Sequence, residues 1–331
     1  MTFQYDNVYI NAASTVAGPY EAKGPLGNQF DKTYKDLYNG EKSWETAEVQ
    51  LLKESIDILL KKAGKKKDDI NLAIAGDLLN QITSSSYAIE ELNLPFLGIY
   101  SACATSTEGM IIGASLIDSG KIQNCITATS SHNMSSEKQF RNPTEYGAPK
   151  PKTATFTATG GACLYLSNEK SKVRIESSTI GRPIDMAQQD PYNMGAVMAP
   201  GAADTIYRHL TDLNRQATDY DLILTGDLGV YGKEILIDYM KTEYGIDISN
   251  NYDDCGTMLY NLEEQKEVMA GGSGPVCSAL VNYSHIIKQI EQGKLKRVLL
   301  VATGALFSPT FVYQKENILS IAHAVSLEAV K

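Results

Sequence analysis

The sequence predicts an α/β fold of two similar βαβαβ-type halves packed as a layered sandwich, and three observations carry that prediction. Strands and one-sided helices alternate along the chain, the pattern that yields sheets covered by helices. Landmarks recur at a fixed offset of 150 residues, from Gly76 to Gly226. The junction between the two sets, Lys170 to Lys172, is short and has no Pro- or Gly-rich linker, so the halves are expected to share a core. They run over residues 1–170 and 171–331.

Val8-Tyr9-Ile10 opens the first half and Val173-Arg174-Ile175 the second, each followed by small residues and then a glycine. A helix comes next. Its apolar stripe is Leu52, Ile56, Leu60 and Ala63 in one half, and Ala202, Ile206, Leu210 and Leu213 in the other. Both stripes step by three or four, the period of a helix with one buried face. Ile70 to Asp77 and Tyr220 to Asp227 are then buried strands ending in Gly-Asp. Phe96 to Tyr100 is a further apolar run. Gly120 and Gly293 each close an apolar-periodic helix, where a left-handed residue is wanted. They lead into the strands Cys125 to Thr129 and Val298 to Thr303. At these glycines the offset has grown from 150 to 173, so the second half holds about 23 extra residues between Asp227 and Gly293, a stretch that includes the polar segment Ile246 to Asp254. Phe156 to Leu166 closes the first half and Ser320 to Leu327 the second. Such alternation implies mostly parallel sheets.

With 331 residues, 43% hydrophobic and 21% charged, the chain has ample material for a core. A formal net charge of -9 argues against nucleic acid, which needs clustered Lys and Arg. Met1 to Ile10 lacks a basic region followed by an apolar run, so no secretion signal is expected there. No segment approaches the ~20 apolar residues of a membrane span. The cysteines, Cys103, Cys125, Cys163, Cys255 and Cys277, are odd in number and lack paired short spacings. This fits a reducing compartment. No spacing suggests a metal site.

Ser101-Ala102-Cys103-Ala104-Thr105-Ser106 follows the Phe96 to Tyr100 strand, and a helix from about Thr105 to Ser119 follows it. Cys103 therefore sits at a helix N-terminus, where unpaired N–H groups and the dipole would lower a thiol pKa. A buried small residue is the alternative. Gly109, Gly113 and Ala114 would let this helix pack closely inside a sandwich.

Strand, Ala-Cys-Ala, helix and a glycine 17 positions after the cysteine resemble the nucleophile region of the thiolase and ketoacyl synthase superfamily. That fold is itself a duplicated pair of five-stranded halves, so the resemblance covers almost the whole chain. A second set of residues is more specific. Thr129-Ser130-Ser131-His132-Asn133, Glu137-Lys138-Gln139-Phe140-Arg141 and Pro143-Thr144-Glu145-Tyr146-Gly147 strongly resemble the stage V sporulation protein AD family of spore-forming bacteria.

Condensing chemistry in the superfamily needs a thiolate, a second acid/base group and donors for the enolate or oxyanion. The donors include a His or Asn from second-half loops. Here the first loop reads Thr225-Gly226-Asp227-Leu228-Gly229 and the second Ala270-Gly271-Gly272-Ser273-Gly274-Pro275, with Ser273 near the His position. Neither Ser nor Gly shuttles protons at neutral pH. His209 and His285 fall in expected helices and His323 in the last strand, where packing explains them. His132, with Asn133, follows a strand whose C-terminal end faces the crevice of a parallel sheet. It either lines the pocket beside Cys103, leaving a catalytic pair open, or packs elsewhere.

The loop from Ser130 to Lys152 carries Lys138, Arg141, Lys150 and Lys152 with Phe140 and Tyr146. A planar aromatic dicarboxylate would want such a set, or the loop is simply solvated. Asp185 and Asp227 are further rim candidates. The resemblance implies a sporulation protein that binds dipicolinic acid (pyridine-2,6-dicarboxylate) and loads it into the developing spore with membrane proteins of the same operon. It places the chain peripherally at the forespore or spore inner membrane. No cofactor is expected, save calcium as part of a calcium-dipicolinate ligand; a homodimer is implied by the superfamily. The expected ligand-binding set is Cys103, His132, Asn133, Arg141, Lys150, Asp227 and Ser273. The rival reading is an acyltransferase or condensing enzyme using Cys103 as nucleophile. A third is an adaptor that docks on membrane partners without a small ligand.

Overall fold

A computed structural model describes residues 1–140 and 150–330. The first half holds strands β1 (Thr2–Gln4), β2 (Tyr9–Ala17), β3 (Lys32–Thr33), β4 (Ala73–Gly76), β5 (Phe96–Gly98), β6 (Asn124–Ser131), β7 (Phe156–Thr157) and β8 (Gly160–Ser167). Its helices are α1 (Trp44–Ala63), α2 (Thr83–Glu90), α3 (Thr105–Asp118) and α4 (Asn133–Phe140). The second half holds β9 (Val173–Thr179), β10 (Leu222–Thr225), β11 (Tyr252–Asp254), β12 (Gly272–Ser273), β13 (Arg297–Leu306) and β14 (Leu319–Ala329). Its helices are α5 (Met194–Asp212), α6 (Gly229–Tyr244), α7 (Cys255–Met258), α8 (Pro275–Val281), α9 (Ile287–Glu291) and α10 (Pro309–Tyr313), with a π-helical turn, Asn282–Ile286, joining α8 to α9.

The repeat read in the sequence is visible in the sheet order. One half runs β5-β4-β6-β8-β2 and the other β11-β10-β13-β14-β9. They meet where Tyr9 pairs with Arg174 and Ile10 with Val173. The expectation of mostly parallel sheets needs correction. Within these five-strand orders only the outer strands of each half are parallel, β5-β4-β6 and β11-β10-β13. The inner pairs, β6-β8, β8-β2, β13-β14 and β14-β9, are antiparallel. A parallel neighbour requires a crossover, usually helical, back to the strand's start. β13 returns into β14 after only the short α10, so these two run opposite ways.

The outer helix of each half forms as its stripe predicts. Ser43 caps α1 by accepting from the Thr46 N–H, Thr46 answers through its own hydroxyl, and Gly64 ends the helix with φ 64. Leu52, Ile56 and Leu60 face the sheet, with Leu51 and Leu59 beside them. In α5 the buried face holds Ala202, Ile206 and Leu210, while Leu213 lies just past the helix end. Between the two halves lie α3 and α8. α3 packs on β4 and β6 of its own half and on β13 and β14 of the other, and α8 packs on β6 and β8. Each half thus completes the other's core.

The expected strand Phe156 to Leu166 is broken. The chain bends at Ala158 and Thr159, where the Thr159 N–H donates to the buried carboxyl of Glu21 at 3.0 Å. β7 leaves the main sheet and pairs with β12, Gly272 beside Phe156 and Ser273 beside Thr157. This small ladder brings Ser273 to the site.

Candidate functional site

Cys103 stands on a tight turn between β5 and α3. The Thr105 hydroxyl donates to the Ala102 carbonyl at 2.7 Å and accepts from the Ser101 N–H at 3.1 Å. The Ala104 N–H closes the turn on the Ser101 carbonyl at 2.9 Å. Ala102 is held at φ 48, a left-handed conformation that costs a non-glycine residue about 1 kcal/mol or more. Two glycines make room for this turn. A Cβ on Gly76 would sit 2.1 Å from the Ile99 carbonyl oxygen, and one on Gly304 2.5 Å from that of Ser101.

Asp227 lies directly behind the thiol. It follows β10, is fully buried, and accepts three hydrogen bonds. Thr303 donates to Oδ1 at 2.9 Å, and the Ser273 hydroxyl and the Gly274 N–H donate to Oδ2, each at 3.1 Å. Ser273 Oγ is 4.0 Å from Cys103 Sγ, which links the thiol to the Asp227 carboxyl through one hydroxyl. Asp254, at the end of β11, supports this arrangement. It accepts from the N–H groups of Leu228 and Gly229, both at 2.9 Å, and from the Thr225 hydroxyl at 2.7 Å.

The electrostatics correct the expectation of an activated thiolate. Cys103 reaches the cleft only in part. Burial, and then the neighbouring Asp227 charge, push its pKa well above the usual thiol range. Burial likewise raises Asp227 to about 7, with the nearby Asp254 charge adding to it. Burial and the Asp227 charge together outweigh the helix dipole of α3.

The cleft in front of Cys103 holds about 550 Å3 of empty space, a figure that takes in open solvent at its mouth. Its walls are mainly apolar. Phe140 and Phe307 meet edge to face with centroids 5.6 Å apart, and Met194 and Met198 line it from α5. Its polar groups are Ser136 and Glu137 from α4 with Thr157 and Ser273 from the β7–β12 ladder. Lys150 pairs with Glu137 at 2.6 Å.

Of the expected site residues, Cys103, Asp227 and Ser273 come together, while Lys150 pairs with Glu137 of the cleft and does not itself line it. Arg141 and Tyr146 lie outside the described residues. His132 does not face the cleft. It is fully buried, with Nε2 2.8 Å from the Leu37 carbonyl oxygen and Nδ1 accepting from the Met134 N–H at 3.2 Å. No Cys103–His132 pair forms. Asn133 is occupied with the strand segment around β7. Its N–H donates to the Thr159 hydroxyl at 2.9 Å and its side chain to the Thr157 carbonyl at 3.3 Å. Lys138 pairs with Glu45, and Asp185 accepts from the Ala187 N–H and Asn317 at the surface. Sequence reasoning missed Met194, Met198, Phe307 and Thr303. Met198 had a signal: it precedes the Ala202 stripe by four residues, on the same helix face. Among the described residues no group of three His, Cys, Asp or Glu side chains is placed to hold a metal ion.

Comparison with known proteins places this geometry in a lineage. The family model described as stage V sporulation protein AD matches residues 1–328. Stage V sporulation protein AD of Bacillus subtilis (strain 168) is 50% identical over 321 residues, covering 97% of this chain and 94% of that protein. Among solved structures, a variant of OleA from Xanthomonas campestris superposes with a TM-score of 0.61 at 15% identity, covering 98% of this chain and 99% of that one. The 3-oxoacyl-[acyl-carrier-protein] synthase III of Aquifex aeolicus VF5 gives 0.59 at 12%, covering 97% and 99%. The fold is thiolase-like. The chain belongs to the stage V sporulation protein AD family.

Proposed function

We propose that this member of a sporulation family is a binding protein. It takes pyridine-2,6-dicarboxylate, free or as its calcium chelate, in the Cys103 cleft, and aids its uptake into the developing spore with membrane proteins of the same operon. Family membership supports the setting. The cleft supports the class of guest: Phe140, Phe307, Met194 and Met198 suit a flat aromatic ring, and a guest carboxylate could draw Lys150 from its pair with Glu137 of the lining. Among the described residues no helix is long and apolar enough to cross a membrane, so attachment to the spore inner membrane would run through those partners. A homodimer fits the same reading, with the edge strand β5 and the exposed Leu97, Tyr100 and Tyr87 as its contact.

The observation that favours binding over acyl transfer is Asp227 behind Cys103. A thiol well above its usual pKa gives up its proton to a carboxylate near 7 only uphill, so the attacking thiolate is scarce at neutral pH. The test is calorimetric titration with pyridine-2,6-dicarboxylate, with and without calcium. Saturable binding of roughly micromolar affinity, retained in Cys103→Ala and lost in Met198→Trp, is expected. No binding in either condition overturns the reading. An acyl adduct on Cys103, seen by intact mass after exposure to an acyl thioester, would favour the enzyme instead.

A further inference from the structure

His323 stands 222 residues along the chain from Ser101 and meets it in space. Its Nε2 lies 3.1 Å from Ser101 Oγ, two residues before Cys103. Its Nδ1 accepts from the Gly181 N–H at 3.2 Å. A backbone N–H only donates, so Nδ1 is unprotonated and the proton sits on Nε2, donating to Ser101. The ring is buried, and burial lowers its pKa to about 4, so it stays neutral at physiological pH.

Two close approaches make the contact rigid. A Cβ on Gly181 would sit 1.8 Å from the Ala322 carbonyl oxygen, so the chain after β9 is pressed onto β14. Gly304 of β13 presses on the Ser101 carbonyl from the neighbouring strand. Ser101 begins the turn that holds Ala102 at φ 48, and a strained turn persists only where its surroundings over-determine it. We propose that His323 is a positioning residue for Cys103: through one fixed tautomer it clamps the first-half turn to the second-half sheet and sets where the thiol stands in the cleft. This role does not depend on which ligand the cleft takes.

The experiment follows the alkylation rate of Cys103 by iodoacetamide in the full chain, read by peptide mass, together with the thermal midpoint and the 15N shifts of His323. Ser101→Ala removes the receiving hydroxyl without touching β14. His323→Asn keeps an acceptor for Gly181 but cannot reach Ser101. Each should loosen the turn and speed alkylation by about threefold or more. The double variant should add little beyond either single, because both break one contact. His323→Gln, with a donor near the Nε2 position, should restore most of the wild-type rate. The 15N shifts should report the Nε2–H tautomer in wild type and in Cys103→Ala. Unchanged rates in both single variants, whatever their thermal midpoints, or an Nδ1–H tautomer, would reduce His323 to packing and overturn the proposal.

Discussion

The two Gly-Asp turns, Gly76-Asp77 and Gly226-Asp227, arise from the same repeat and do different work. Asp77 is spent on its own backbone. It accepts from the N–H groups of Leu79 and Ser85, both at 2.8 Å, and so spans Gln81 and Ile82, which are held at φ 60 and 48. In the second half that duty passes to the edge strand. Gly98 of β5 pairs with Ala75, and Asp254 of β11 pairs with Thr225 in the matching register. Where Gly98 leaves space that the Ile82 side chain occupies, Asp254 supplies a carboxylate that accepts from Leu228 and Gly229. Asp227 is thereby released to face Cys103. The helices diverge in parallel: Glu48 of α1 is buried and accepts from Ser130 and Ser135, whereas Met198, at the matching position of α5, lines the cleft. A glycine-to-carboxylate difference on the edge strand and a glutamate-to-methionine difference on the outer helix thus let the second half supply Asp227 and Met198 to a cleft whose cysteine comes from the first.

If Asp77 and Asp254 do the same work, removing either should cost the same. Asp77→Ala and Asp254→Ala should each lose about 3 kcal/mol of stability, since each strands two buried N–H groups. A urea midpoint series checks this; a large loss in one and none in the other would break the equivalence. Asp227→Asn should act differently. The loss of stability should be slight, but Cys103 alkylation at pH 7.5 should rise about tenfold as the neighbouring negative charge goes. An unchanged rate would mean that Asp227 does not govern the thiol.

The pH dependence of stability sharpens the contrast. Burial raises Glu21 and Asp227 to about 7, and burial with the Asp77 charge raises Glu48 to about 8. These groups hold protons more tightly when folded than when unfolded. Their contribution is therefore full at acid pH and lost as pH rises through 7 to 8. Urea midpoints should fall from pH 5.5 to 8.0, and fall less in Asp227→Asn. The smallest effect belongs to Ser273→Ala. Its hydroxyl favours the thiolate, so its removal should slow alkylation about twofold and cost under about 1 kcal/mol.

Much of this was legible in the sequence because it is periodic or local. The offsets of 150 and 173 reproduce the matched sheet orders, and the glycines at 120 and 293 do end helices with φ 70 and 72. Cys103, Asp227 and Ser273 were read from their turns. What stayed hidden depends on side-chain direction and distant contact. His132 follows β6 at the right end of the strand, yet its ring turns to the Leu37 carbonyl, and a strand's faces alternate with every residue. The dipole of α3 is adjacent to Cys103 in sequence, whereas the burial and the Asp227 charge that raise its pKa are set by distant segments. The bend at Thr159 rests on Glu21, a buried carboxyl contributed by a distant loop.

The pH profile of Cys103 alkylation in the wild-type chain decides between a retired nucleophile and a working one. With Asp227 behind the thiol, the rate should still be climbing past pH 9, and the Asp227→Asn profile should shift to lower pH. A wild-type plateau already reached below about pH 8 would mean a stabilised thiolate, and would contradict the binding-protein reading.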